Sequence, residues 1–247
     1  DDDEKGTEED KGQWAMIFNE SVKNDSNPVD KTEKFMFDGE RLIQHIIKQR
    51  YFEEEISNEV NLSYSDNQVT VTTDYLTLVY TLNSEGYASQ CVYSLSSQNR
   101  IYQFSYSAEG YLTGIVENID NTEYSSTSLT YENGDITSNS SKMNGLENKF
   151  IYEPGEESST YHLPCLGLLE IHPLTFHIEA LYAGLLGKDP RHFTIRSCPA
   201  GSNDEKTIYS YEFDKKGNPS RMICQTTYAG GQANYYPYTR NISVSFE

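Results

Sequence analysis

At 247 residues, with 38 acidic against 19 basic side chains, the chain carries a formal net charge of −19 and a sequence pI near 4.6. Such a surface repels phosphate backbones and anionic headgroups, which excludes nucleic acid as a partner. Hydrophobic residues make up 36% and mean hydropathy is −0.68, leaving no run of about 20 apolar residues for a transmembrane helix. Four cysteines, Cys91, Cys165, Cys198 and Cys224, are too few for a disulfide scaffold in a chain of this length.

Residues 1–12 contain Asp1-Asp2-Asp3-Glu4 and Glu8-Glu9-Asp10 with almost nothing apolar, a composition that cannot order itself by burial and reads as a flexible acidic tail. From residue 13 to 247 no linker rich in proline, glycine or serine interrupts the pattern, so one domain is expected.

That pattern is a repeat. A pair of apolar or aromatic residues two apart is followed within a few positions by glycine or asparagine: Phe35/Phe37 with Gly39, Leu62/Tyr64 with Asn67, Tyr80/Leu82 with Gly86, Phe104/Tyr106 with Gly110, Leu129/Tyr131 with Gly134, Phe150/Tyr152 with Gly155, and Tyr211/Phe213 with Gly217. Val244/Phe246 ends the series. Residues two apart in a strand share a face, and the glycine or asparagine accepts the positive φ of a tight reversal. Each copy therefore supplies a β-hairpin with one apolar and one polar face. The polar face reads Thr81, Gln103, Ser105, Ser107, Thr130, Glu212 and Ser245, too wet for the lipid-facing band of a membrane barrel.

The interval between Tyr152 and Phe213 is about twice the length of the others and must hold something besides hairpins. Within it Pro173 precedes Leu174, Ile178, Leu181, Tyr182 and Leu185, and Gly187 and Pro190 follow. That punctuation predicts one inserted α-helix near residues 173–187, about fourteen residues long. The predicted fold is all-β: an antiparallel meander of about 14–16 strands in serial hairpins, curled into a barrel-like or half-open trough, with the helix packed against or plugging it. Phe37, Tyr64, Leu82, Tyr106, Tyr131, Tyr152, Phe213 and Phe246 are expected to line the interior.

The stretch Phe104-Ser-Tyr-Ser-Ala-Glu-Gly-Tyr-Leu-Thr-Gly-Ile115 resembles the tyrosine-aspartate repeat, Tyr-x-Tyr-Asp-x-x-Gly-x-Leu-x-x-Ile, as do Tyr211-Glu-Phe-Asp-Lys-Lys-Gly217 and Phe35-Met-Phe-Asp-Gly39. The aspartate is kept only at Asp38 and Asp214, so the match is to hairpin geometry rather than to a ligand code. With the insertion ending Leu-Tyr-Ala-Gly-Leu-Leu-Gly-Lys188, residues 13–247 resemble a family of Bacteroidetes-type lipoproteins of unknown function with a porin-like fold. The resemblance implies an outer-membrane lipoprotein, facing the periplasm or the cell surface and tethered by a lipid upstream of residue 1. The acidic run Asp1–Glu4 is similar to the surface-export signal of that group. It supplies no catalytic residues.

Candidate sites are few. His162, Cys165, His172, His177, His192 and Cys198 fall in or beside the insertion, but the nearest same-type pair, His172 and His177, lacks the short spacing of zinc ligands. Neither metal nor cofactor is expected. There is no Gly-x-Ser-x-Gly elbow, and the 38 acids single out no carboxylate pair. In an oxidising compartment Cys165–Cys198 is the preferred disulfide, because it would close the irregular segment. Tyr235, Tyr236 and Tyr238, after Gly230-Gly231 and split by Pro237, are the candidate ligand-binding residues, since exposed tyrosines stack on sugars or anchor protein interfaces. Tyr87 and Tyr111, each just after a repeat glycine, are a weaker case against plain packing. The expected function is a non-catalytic, surface-tethered binding or accessory protein for a glycan or peptide. The alternatives are a structural envelope protein that binds other surface proteins, or a hydrolase with an unrecognised carboxylate site.

Overall fold

The computed structural model describes residues 12–23, 29–51, 53–95, 98–158, 163, 166–202, 204–227 and 238–247. Its strands are β1 (Gln13–Lys23), β2 (Val29–Asp38), β3 (Arg41–Tyr51), β4 (Glu54–Ser65), β5 (Gln68–Thr72), β6 (Thr77–Leu82), β7 (Ala88–Leu95), β8 (Gln98–Tyr106), β9 (Leu112–Ile119), β10 (Thr122–Glu132), β11 (Asp135–Met143), β12 (Leu146–Ser158), β13 (His192–Pro199), β14 (Lys206–Phe213), β15 (Pro219–Thr227) and β16 (Tyr238–Phe246). Each pairs antiparallel with its neighbours in sequence, and β1 pairs with β16, Met16 opposite Phe246 and Lys23 opposite Thr239. The meander is thus a closed barrel rather than a half-open trough. Closure leaves no strand edge to attract another chain.

The repeat turns show why their residues recur. At Asn83–Tyr87, Ser107–Tyr111 and Asp214–Asn218 the first amide donates to the last carbonyl at 2.7–2.8 Å, and the glycine amide donates back to the first carbonyl at 3.0–3.1 Å. Gly86, Gly110 and Gly217 take φ of +84° to +92°, a region closed to most side chains. The Asn83 and Asp214 side-chain oxygens each accept two further amides of their own turn at 2.8–3.0 Å, and Ser107 Oγ accepts one at 3.3 Å. The repeat's aspartate position is therefore a turn acceptor, which any short polar side chain can fill.

These turns, with those at Gly39 and Gly134, gather at one end of the barrel, together with the start of β1 and the end of β16. Their rings pack side by side: Trp14 on Phe37 (4.2 Å between centroids), Tyr87 against Tyr106 (5.3 Å), Tyr111 on Tyr131 (5.0 Å) and Phe193 on Tyr211 (4.8 Å). Tyr87 and Tyr111 are packing residues. Of the eight expected interior residues, Phe37 and Tyr152 are fully buried, and Tyr64, Leu82, Tyr106, Tyr131 and Phe213 pack against the core from the rim. Phe246 is the exception. It shares an inward face with Ile242 and Val244 but ends its strand and is 38% exposed.

The interior is apolar and filled. Phe35, Tyr80, Tyr102, Leu112 and Ile115 point in from the wall, and Leu163, Leu166, Leu168, Ile171, Leu174, Ala180, Leu181 and Tyr182 enter from the insertion. Tyr182 stacks on Phe35 at 3.9 Å. Each such side chain contributes about 1.5–3 kcal/mol on leaving water. Outside, Lys48, Glu59, Asn61, Gln103, Ser105, Ser128, Thr130, Lys142, Glu212 and Ser243 are exposed. That is the inverse of a membrane-spanning barrel. No helix among the described residues is long and apolar enough to cross a membrane.

The insertion is not one helix over 173–187. It consists of α1 (Leu166–Leu169), a 3-10 turn (Leu174–Phe176), α2 (Ile178–Tyr182) and an extended strap over residues 185–191. Gly184 and Gly187, at φ +70° and +86°, end the helical run early. The wall surrounds the segment, so apolar residues are needed all round and no single amphipathic helix face is imposed. The strap crosses the repeat-turn end: Leu185 O accepts from Ala88 N (2.7 Å), Lys188 N donates to Gly110 O (2.9 Å) and Arg191 N to Gly134 O (2.9 Å). That end is sealed.

Candidate ligand-binding site

With one end sealed, water reaches the interior from the other. There the insertion forms a floor, with Phe176 44% exposed and its ring edge-on to His172 at 5.9 Å. Charged residues stand on the inward faces of the surrounding strands, in line with the apolar stripe: Glu20 beyond Met16 and Phe18, Glu33 beside Phe35, Arg100 before Tyr102 and Phe104, Glu117 after Ile115, Arg240 before Ile242 and Val244. Alternation places each inside the barrel.

Glu117 is the centre of one cluster and its side chain is wholly buried. Its oxygens accept from Tyr102 Oη (3.1 Å), Arg100 Nη1 (3.2 Å) and Ser125 Oγ (2.8 Å), and His172 Nε2 lies 3.0 Å away. Burial pushes its carboxyl up, but the bonds from His172, Ser125 and Tyr102 prevail and hold it below the usual carboxylate range. Arg100 lies 5.9 and 6.0 Å from the Tyr93 and Tyr124 ring centroids, within cation–π reach.

Serine, histidine and carboxylate meet here, but not as a nucleophilic relay. Ser125 Oγ and Glu117 Oε2 both face the same His172 nitrogen, at 3.2 and 3.0 Å. A relay needs the base to use one nitrogen on the hydroxyl and the other on the carboxylate. With Nε2–H directed at Glu117, it cannot take the Ser125 proton.

Across the well Arg240 clamps Glu20 through Nε (2.5 Å) and Nη2 (3.1 Å) and lies 3.7 Å from Glu170, which also accepts from Tyr209 Oη (3.1 Å). A third cluster fastens α2 to the wall. His45, fully buried and stacked on Phe35 at 4.0 Å, lies 2.7 Å from Glu179 through Nδ1 and 3.2 Å from Glu33 through Nε2, with Lys31 on Glu33 at 3.1 Å. The Nε2 contact is an ion pair rather than an aligned hydrogen bond. Burial opposes protonation of His45, yet Glu179 and Glu33 raise its pKa above 6.5; burial likewise lifts the Glu33 carboxyl, and His45 and Lys31 bring it below 4.5. His177 is the opposite case: burial lowers it to about 3, and Nδ1 lies 2.7 Å from Tyr80 Oη.

Of the histidines considered as metal ligands, His172 joins Glu117, His177 joins Tyr80, and His192 pairs with Asp135 at 2.9 Å. Among the described residues no three potential ligands are grouped for a metal ion. Cys198 is buried in β13, while His162 and Cys165 lie outside the described residues, as do Tyr235 and Tyr236. Tyr238 opens β16 opposite Thr226 at the rim of the well. The strand patterns contained a signal for Arg100, Glu117 and Arg240, a charge on an apolar face; Phe176 had none.

A comparison with curated proteins finds no match. The chain is similar in structure to a porin-like protein from Bacteroides uniformis, with a TM-score of 0.85 at 25% identity over 94% of this chain and 96% of that one. A porin-like protein from Bacteroides vulgatus gives 0.56 at 13% identity over 92% and 96%, a likeness of fold alone. Residues 35–221 match the family described as Domain of unknown function (DUF4595) with porin-like fold, and the chain belongs to that family.

Proposed function

We propose that this is a non-catalytic binding protein of the bacterial cell envelope, tethered by a lipid ahead of residue 1, that holds a glycan or peptide in the open well. The observation that carries the reading is Phe176, an exposed aromatic on the floor of the accessible end of an otherwise packed barrel, with His172 beside it and Arg100 meeting His172 at Glu117. An exposed ring among fixed hydrogen-bonding groups suits the face of a sugar or an aromatic side chain. The polar outer wall supports a barrel that stands in water. The acidic run before β1 supports the tether, and the likeness to porin-like proteins of Bacteroides supports the envelope setting.

Thermal-shift titration with an oligosaccharide panel tests the reading, because a ligand that binds the folded state raises its midpoint saturably. The rise should disappear in Phe176→Ala while unliganded stability holds. Silence across the panel with co-purifying surface proteins would favour a structural envelope role, and turnover would favour a hydrolase. Labelling the full-length precursor with a palmitate analogue, followed by protease shaving of intact cells, tests the tether and the side it faces.

A further inference from the structure

Of the seven large apolar side chains that stand exposed among the described residues, four belong to the open end: Ile56, Tyr75, Leu146 and Phe176, at 49%, 83%, 73% and 44%. Ile56 alternates with Val60 and Leu62 along β4, and Leu146 with Tyr152 along β12, so both stand on the inward face of the rim. Tyr75 lies in the link between β5 and β6. Apolar side chains gathered around the mouth of a well mark a contact surface. The same mouth is acidic. Its links between strands carry Glu53, Asp74, Asp120, Asp204 and Glu205, and no lysine or arginine among the described residues. Lys23 and Lys206 stand at neighbouring strand ends, while Arg50 and Lys149 are held by Glu55 at 3.6 Å and Glu147 at 3.5 Å, so negative charge stays in excess. Deeper in the well Glu170 is 42% exposed, and Arg240, 3.7 Å away, is already gripped by Glu20 through two nitrogens.

From these two features we infer that the mouth receives a basic peptide segment of another protein, one in which apolar side chains alternate with lysine or arginine. The inference rests on the proposed binding role of the well and narrows its occupant to a peptide. Isoleucine and leucine offer a sugar neither a ring to stack on nor a hydrogen bond, but they pack well against aliphatic and aromatic side chains. The acids of the rim attract the intervening cations, and Glu170 offers one of them a carboxylate inside the well.

Isothermal titration at two salt concentrations with synthetic peptides of equal length, alternating leucine with lysine, leucine with glutamate or serine with lysine, decides the matter. The leucine-lysine peptide should bind at least about tenfold tighter than either of the others, and its lead over the leucine-glutamate peptide should shrink as salt screens it. Ile56→Ser and Leu146→Ser, at exposed positions where the unfolding midpoint should hold, should each weaken it several-fold, as should Glu170→Gln; Ile151→Ser on the outer wall should do nothing. Equal binding of the serine-lysine peptide would reduce the effect to the net charge of −19 and overturn the inference, as would equal binding of the leucine-glutamate peptide. Binding indifferent to Ile56 and Leu146 would place the peptide elsewhere and refute it. An oligosaccharide that binds and is lost in Phe176→Ala, with no peptide bound, would overturn the inference and keep the proposed site. No binding of either would overturn both.

Discussion

Two buried histidines in this barrel meet opposite electrostatics. His45 lies between the carboxylates of Glu179 and Glu33; His177 is enclosed by the rings of Tyr80, Tyr102 and Phe104. A charge in the first place is paired and in the second is not. NMR titration of the imidazoles should show His45 titrating above 6.5 and His177 remaining neutral down to about pH 3. The linked stability follows by sign. The raised His45 contributes fully below pH 6.5 and fades as pH climbs through its folded value; Glu33 and Glu117, held below 4.5, contribute above that pH and fade as it falls. His177 works the other way below pH 6.5, where the unfolded chain takes up a proton that the folded one refuses, so the His45 share is read by difference: in urea denaturation the protein should exceed His45→Gln in stability most below pH 6.5, and the gap should narrow as pH climbs. At fixed pH, Glu117→Ala should cost about 2–3 kcal/mol, since it leaves Tyr102, Ser125 and Arg100 without their acceptor; a loss below about 0.5 kcal/mol would mean the cluster is hydrated.

At the scale of elements, the hairpins were legible in the sequence and the insertion was only partly so. A two-residue periodicity and glycine-marked turns are local properties, set by pleat and φ, so the positions of Gly86, Gly110 and Gly217 alone place their reversals. The path of residues 163–191 depends on what surrounds them. Leu174, Ile178 and Leu181 do repeat at helical spacing, but the strap is held by backbone groups as far away in sequence as the Ala88 amide and the Gly134 carbonyl, which no local pattern reveals. Gly187 is the sharpest test of the strap. A Cβ there would lie 2.7 Å from Gly110 O and 3.1 Å from the Tyr106 ring, at φ +86°. Gly187→Ala should cost about 2–3 kcal/mol and speed hydrogen exchange at Lys188 and Arg191, whereas Gly184→Ala, with nothing near its Cβ, should cost about 1 kcal/mol. Tyr106→Ser should be as severe, about 3 kcal/mol. It removes a ring packed on Tyr87 and a hydroxyl that donates to Ala88 O at 2.6 Å.

At the scale of the whole molecule, a porin-like outline is combined with the reverse polarity of a porin. The outside is polar and the inside is packed by the protein's own chain, so the barrel is a cup, sealed by the strap and open over Phe176. Purified protein added to planar lipid bilayers should give no channel conductance. A filled lumen reached by water from one end only should show itself in hydroxyl-radical footprinting read by mass spectrometry. The exposed rings of Phe176 and Tyr75 should be oxidised readily, while Phe35, Tyr80, Phe104 and Tyr182 remain protected until the protein unfolds. Oxidation of Tyr80 and Tyr182 in the folded protein at rates comparable to Tyr75 would mean that water runs through the barrel and that its lumen is not filled.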